Sequence, residues 1–174
     1  MKLLAWNSRG LSCASAIRSL RGKLRKHSPD IFFLSETKTQ TTHAILIMNS
    51  LGFFFMPHAP PTGTKGGLLL GWHHGVDLEC FSITVNIINA WCYSDPPNKP
   101  WLFTCIYGPL ERKNKSCFWG SLSNERKDYY GPWLCIGDFS MILSQSEKYG
   151  SRPFACSSND PFHSFLDFFL AWLI

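Results

Sequence analysis

Four polar side chains stand at the ends of apolar runs, and their types are those that hold a hard cation beside a phosphate. Asn7 closes Leu3-Leu4-Ala5-Trp6, Glu36 follows Ile31-Phe32-Phe33-Leu34-Ser35, Tyr107 closes the run from Trp101, and Asp138 ends the run from Pro132. Ligands of α/β sheets collect beyond strand ends, where loops converge over a rigid scaffold. Mg2+ takes oxygen ligands, usually one or two carboxylates together with waters and phosphate oxygens of the substrate. Glu36 and Asp138 can supply the carboxylates, and Asn7 can orient a ligand or a phosphate oxygen. Taken singly, each of these residues is a weak signal, since a carboxylate at a strand end is most often a solvated loop residue.

The elements that must position them alternate. Lys2 to Ser8 reads as a short buried strand. Ser12 then caps a helix with Ile17, Leu20 and Leu24 on one face, which Ser28-Pro29 stops. The unbroken apolar run Ile31 to Leu34 predicts a strand covered on both faces. Thr41 or Thr42 caps a second helix over Ala44 to Leu51, and Gly52 is placed as its left-handed end. A Pro- and Gly-marked loop leads to strands at Leu68–Trp72, Val76–Ile83, Val85–Tyr93 and Trp101–Tyr107. A helix over Lys115 to Leu122, with Phe118, Trp119 and Leu122 inward, precedes a strand at Pro132–Phe139. After a polar loop through Asn159, Phe162, Phe165, Leu166, Phe169 and Leu173 recur with a helical period. That last helix also carries Phe168, Leu170, Trp172 and Ile174 on its other face, so it calls for cover on all sides. The reading is one α/β domain over residues 1–174, without repeats or linkers.

Composition narrows the class. Apolar residues make up 45% and charged residues 17%, which excludes a disordered chain. No run of about 18 apolar residues exists, so no membrane partner is expected. The seven cysteines form no CxxC pair, and the start at Met1 is too soon interrupted for a signal segment. Reduced thiols, a nuclear or cytoplasmic location and no zinc are the expectations. The net charge of +5 suits a phosphate-bearing partner, but on charge alone it reads rather as a slightly basic soluble protein. Arg18, Arg21, Lys23, Arg25 and Lys26 form one cluster, which reads rather as a solvated helix face. Arg112, Lys113 and Lys115 form another just after Tyr107, where a phosphate contact and a solvated loop stand level.

Seven segments carry a family resemblance, in order. Ala5-Trp6-Asn7-Ser8-Arg9-Gly10-Leu11 resembles the WNxRGL opening of plant LINE-type retrotransposon endonucleases. Pro29 to Lys38 resembles their PDxxxLxETK element, and Gly66-Gly67-Leu68 their GGL strand. Ile106-Tyr107-Gly108-Pro109, Phe118-Trp119, Pro132 to Phe139 and Glu147-Lys148 resemble the IYGxP, FW, PWxxxGDFN and EK segments. The chain therefore resembles the endonuclease/exonuclease/phosphatase superfamily along nearly its whole length.

The resemblance implies a four-layer α/β sandwich, two packed β-sheets flanked by helices. It also implies Mg2+- or Mn2+-dependent phosphodiester hydrolysis, with DNA as the partner nicked and no further cofactor. By that likeness Glu36 ligates the metal, Asn7 supports the site, Tyr107 contacts the scissile phosphate and Asp138 orients or activates water. Ser140 stands where the family has an asparagine two residues after the aspartate, with shorter reach and no amide. Arg9, Arg112, Lys113 and Lys115 are the candidate nucleic-acid contacts. The family closes with further strands and an Ser-Asp-His element, and none of the six histidines here has that context. His73-His74 reads as a structural pair at a sheet edge. The expectation is therefore a C-terminally truncated, impaired endonuclease, with a non-enzymatic remnant of a retroelement as the alternative.

Overall fold

Parallel pairing at two places in the chain decides the architecture. The computed structural model describes residues 1–53, 56–127, 129–142, 145–147 and 161–170. The chain forms two units, one of residues 1–107 and 131–138, the other of residues 108–130 and 139–174.

In the first unit, β1 (Leu3–Asn7) leads through α1 (Ala14–His27) to β2 (Ile31–Ser35), which pairs parallel to β1 with Leu3 opposite Ile31 and Asn7 opposite Ser35. A parallel return needs a crossover, and α1 is that crossover. Next come α2 (Thr41–Asn49), the two-residue β3 (His58–Ala59) and β4 (Leu68–Trp72). Strand β4 lies antiparallel to β2, giving a mixed sheet in the order β1-β2-β4-β3. The second sheet runs β5 (Leu78–Ile83), β6 (Ile87–Cys92), β7 (Trp101–Tyr107) and β8 (Trp133–Asp138), in that order. Its first three strands are antiparallel neighbours, whereas β8 is parallel to β7.

Alternation along β2 shows how the layers close. Ile31 and Phe33 enter a core shared with Leu68, Leu70, Ile88, Ala90, Phe103 and Cys105, the inner faces of the two sheets. Phe32 and Leu34 point the other way, into a core with Leu20 and Leu24 of α1 and Ala44, Ile47 and Met48 of α2. Every β2 residue is buried, as an apolar run without alternation requires. A fully buried Phe or Leu contributes about 1.5–3 kcal/mol, so these layers dominate the stability of the unit. Two mixed sheets with flanking helices make the expected α/β sandwich.

In the second unit, α3 (Arg112–Lys127) and α4 (Pro161–Leu170) meet through aromatic rings. Trp119 is fully buried, 4.6 Å from the ring of Phe162, 5.1 Å from Phe165 and parallel to Phe139 at 5.8 Å. Phe118 is half-buried and Leu122 buried, so the predicted inward face of α3 holds. A 3-10 turn spans Gln145–Glu147. Residues 148–160 and 171–174 lie outside the described residues, as do the side chains of Phe168, Phe169 and Leu170.

The caps differ from the expectation. The N-cap of α1 is Cys13 rather than Ser12, with extended backbone and no capping hydrogen bond. Gln40, rather than Thr41 or Thr42, is the N-cap of α2, again without a capping hydrogen bond, and the Thr41 hydroxyl meets Nδ1 of His58 at 3.0 Å. Gly52 does adopt the left-handed conformation, at φ 85°. Helix α3 begins three residues before Lys115 and ends five after Leu122, where polar residues give no period to read. Among the described residues no helix is long and apolar enough to cross a membrane, and the described cysteines are all free thiols.

Candidate active site

Each parallel pair delivers two side chains at its carboxyl end. In the first sheet Asn7 pairs with Ser35, so Glu36 emerges one residue beyond Asn7's neighbour. In the second, Tyr107 pairs directly with Asp138. The face-to-face sheets bring these two ends together within the first unit.

Asn7 is the junction. Its Nδ2 donates to Oε1 of Glu36 at 3.1 Å and to Oδ2 of Asp138 at 2.9 Å, joining carboxylates 102 positions apart on different sheets. Its Oδ1 accepts the backbone N–H of Arg9 at 3.1 Å, which leaves the NH2 group facing the acids. The Tyr107 hydroxyl donates to Oε1 of Glu36 at 3.2 Å, a second link between the sheets. The four residues picked from strand ends thus form one hydrogen-bonded cluster.

Glu36 is held in a conformation its side chain disfavours. Its φ is 52°, left-handed for a residue with a Cβ, a state that costs on the order of 1–3 kcal/mol and persists only where surroundings over-determine it. Here its carbonyl accepts the Gly10 N–H at 2.7 Å and the Ser8 hydroxyl at 3.1 Å. The N–H groups of Thr37 and Lys38 donate to the carbonyls of Gly67 and Gly66 at 3.1 and 3.0 Å. Gly67, itself at φ 89°, leaves no room for a side chain: a Cβ there would run into Oγ1 of Thr37. Gly137 likewise lies against the Ile106 carbonyl, which lets β8 reach Tyr107's level with Asp138 at its tip.

The electrostatics follow from this enclosure. Burial pushes the Glu36 carboxyl up, but hydrogen bonds from Asn7, Lys38 and Tyr107 and the Lys38 charge outweigh it, and the carboxyl ends below its ordinary 4.5. Lys38 Nζ lies 3.4 Å from Oε2 of Glu36. Burial, then the charge of Glu36, push the Tyr107 phenol up to about 12, so it stays protonated and remains a donor. The cluster therefore sets an ionised carboxylate beside a neutral hydroxyl and a neutral amide.

The donor set is one a hard cation accepts. Glu36 and Asp138 present oxygen on a half-buried, polar sheet end, and Mg2+ needs only one or two carboxylates because it keeps its waters. Among the described residues no group of three or more His, Cys, Asp and Glu is placed to hold a metal.

The remaining candidates take no part in that hydrogen-bonded cluster. Arg9 is exposed beside the cluster, its own φ left-handed at 51°. Ser140 belongs to the second unit, where its carbonyl accepts the Lys115 ammonium. Lys113 pairs with Glu111 at 3.2 Å, and Arg112 is exposed at the start of α3. His73 follows β4, at the opposite end of the first sheet from Glu36. Ser8, Lys38 and Gly67 were missed as supports of Glu36, although each sits inside a segment quoted for the resemblance.

The fold and the site define a class of protein, and comparison with known families agrees. The Endonuclease/Exonuclease/phosphatase family matches residues 4–171, and the chain belongs to that family. Among solved structures it is similar to a 3'-5' exonuclease (NExo) from Neisseria meningitidis, at 17% identity and a TM-score of 0.68, over 96% of this chain and 71% of that one. It is also similar to the AP endonuclease LMAP from Leishmania major, at 16% identity and a TM-score of 0.67, over 95% of this chain and 64% of that one. An AP endonuclease from Archaeoglobus fulgidus aligns at 15% identity and a TM-score of 0.55, over 79% of this chain and 55% of that one. At such identities these likenesses show the fold. The chain spans 64% and 55% of the lengths of the two AP endonucleases. No curated protein matches it.

Proposed function

We propose that this domain hydrolyses phosphodiesters with a divalent cation, and that it is a DNA-nicking endonuclease of the plant LINE retrotransposon type. The observation that carries the reading is the Asn7 amide bridging Glu36 and Asp138, with Tyr107 hydrogen-bonded to the same glutamate. Four polar residues from two sheets do not converge this way for stability alone, since strain at Glu36 and burial of polar groups both oppose it. The retrotransposon assignment rests on the WNxRGL and PDxxxLxETK wording of the sequence.

In this reading Glu36 and Asp138 would hold Mg2+ or Mn2+, whose charge would polarise the phosphoryl oxygens, an effect that lowers such barriers by several kcal/mol. Asp138 would accept the proton of the attacking water as the water oxygen bonds to phosphorus, while the P–O bond to the leaving sugar oxygen breaks and that oxygen takes a proton from solvent. Tyr107, protonated at any working pH, would turn its single O–H from Glu36 to a non-bridging phosphate oxygen when substrate binds. Asn7 fixes the spacing of the two acids. Arg9 contacts the backbone beyond the scissile bond.

A second reading, a non-enzymatic remnant that only binds nucleic acid, is favoured by Ser140 in place of an asparagine. Nicking of supercoiled plasmid in Mg2+ separates the two. Activity lost both in EDTA and in Glu36→Ala supports the enzyme. No activity, or activity that survives Glu36→Ala, leaves the remnant.

A further inference from the structure

We propose that the arginine stripe of α1 and the cleft at its end form a second phosphate-binding surface, remote from the candidate active site, which takes backbone phosphates of a polynucleotide. Helix α1 holds Arg18, Arg21, Lys23, Arg25 and Lys26 and no acid. The chain has 17 Lys and Arg against 12 Asp and Glu, so outside this helix the charges balance, 12 against 12. The whole net charge of the protein therefore sits on one helix.

Arg18, Arg21 and Arg25 are spaced three and four residues apart, so they form one stripe. Among the described residues their guanidinium groups enter no ion pair and no hydrogen bond. Like charges at this spacing cost an isolated helix about 0.2–0.5 kcal/mol per pair. The helix dipole offsets that only in the last turn, which accounts for Arg25 and Lys26 but not for Arg18 or the half-buried Arg21.

A cleft of about 240 Å3 opens where the stripe ends, lined by Arg21, Arg25, Ser28, Ser50, Phe53 and His73. The His73 ring is stacked on Phe53 at 4.2 Å, which fixes its plane at the rim. Among the described residues no acidic side chain lines the cleft. Guanidinium forks match phosphate oxygens two at a time, and an imidazole N–H adds a further donor. His73 follows Trp72, which pairs with Ile31 at the start of β2, whereas Glu36 follows the end of that strand. The cleft and the candidate active site thus lie on the order of 15 Å apart along β2. A backbone strand along α1 would hold nucleic acid well away from the bond being cut.

The inference deepens the nucleic-acid reading above and rests on it, but its test needs no catalysis. Binding of a fluorescent single-stranded oligonucleotide is followed by anisotropy in EDTA at several salt concentrations. Arg21→Ala/Arg25→Ala is compared with the wild type and with Arg112→Ala/Lys113→Ala, and a thermal melt of each checks folding. Because Arg21 is half-buried, Arg21→Lys/Arg25→Lys provides a second variant that keeps the charge and loses the bidentate fork. We expect about a tenfold loss of affinity in the alanine pair, with the slope of log K on log salt falling by about 1.4, the effect of two lost phosphate contacts. The lysine pair should keep the slope and bind less tightly than the wild type. Unchanged affinity and slope in the alanine pair would overturn the proposal. So would arginine-dependent binding of inorganic phosphate or a mononucleotide without any effect on the oligonucleotide, which would assign the cleft to a small phosphorylated molecule. Loss of nicking alone, with this binding intact, would count against the catalytic reading and not against this one.

Discussion

The two ends of β2 are built on opposite plans. At its carboxyl end, Glu36 is fixed by backbone hydrogen bonds from both sides, by a glycine that admits no side chain, and by Asn7 and Tyr107. At its amino end, α1 presents arginines that have no acidic partner among the described residues, around an open cleft. One end stores strain to hold acids at set positions, as bond-breaking chemistry demands. The other leaves charge on long side chains over a stable helix, enough to hold a polyanion by its charge but not to place an atom. The contrast says that precision in this protein is created by backbone, and attraction by side chains.

The largest effect should come from the fixed end. Asp138→Asn keeps the shape and the hydrogen-bonding reach of the carboxyl but removes its basicity, and nicking should fall by about 10²–10⁴-fold. Plasmid nicking over time measures it, beside a melt that should hardly move. An Asp138→Asn protein that nicks at the wild-type rate would remove the reason for treating this end as a reaction centre.

Two glycines sharpen the contrast further. Gly67→Ala must displace Thr37 and sits at a φ unfavourable for alanine, so stability should drop by about 2–3 kcal/mol. Gly22 lies inside α1 with nothing near its missing Cβ, so Gly22→Ala should stabilise by about 0.5–1 kcal/mol. Urea unfolding of both proteins gives the two signs. A neutral Gly67→Ala would mean that the loop carrying Glu36 is not over-determined after all.

How much of this was readable beforehand depends on range. The fully apolar run of β2 announces a central strand, and the residues after such runs announce Asn7, Glu36, Tyr107 and Asp138. What bound them was hidden. The Asn7–Asp138 bond joins residues 131 positions apart, and nothing local to either specifies the partner. The left-handed φ of Glu36 is equally silent, because it is imposed by Ser8, Gly10 and Gly67 rather than by glutamate's own preference. Strand β3 was missed because two residues between prolines carry no period. The arginines of α1 were visible, but a spacing of charges looks the same on a solvated face as beside a cleft.

The smallest effect tests the sign of the forces on Glu36. Burial favours its neutral form, while Asn7, Lys38, Tyr107 and the Lys38 charge favour the ionised one, and the balance lies below the ordinary 4.5. A carboxyl lowered on folding contributes stability that is present above the unfolded value and lost as pH falls through the folded one. The stability difference between the wild type and Glu36→Gln should therefore be flat from neutral pH down to about 5, then shift against the wild type below 4.5. Part of this is screened, since the carboxylate retains solvent contact, so the shift should be small and weaker in salt. Unfolding measured from pH 3 to 7 shows which force prevails. If the wild type instead gains on Glu36→Gln as acid is added, burial outweighs the hydrogen bonds. Glu36 would then be a strained acid waiting for a cation, rather than one already satisfied by its neighbours.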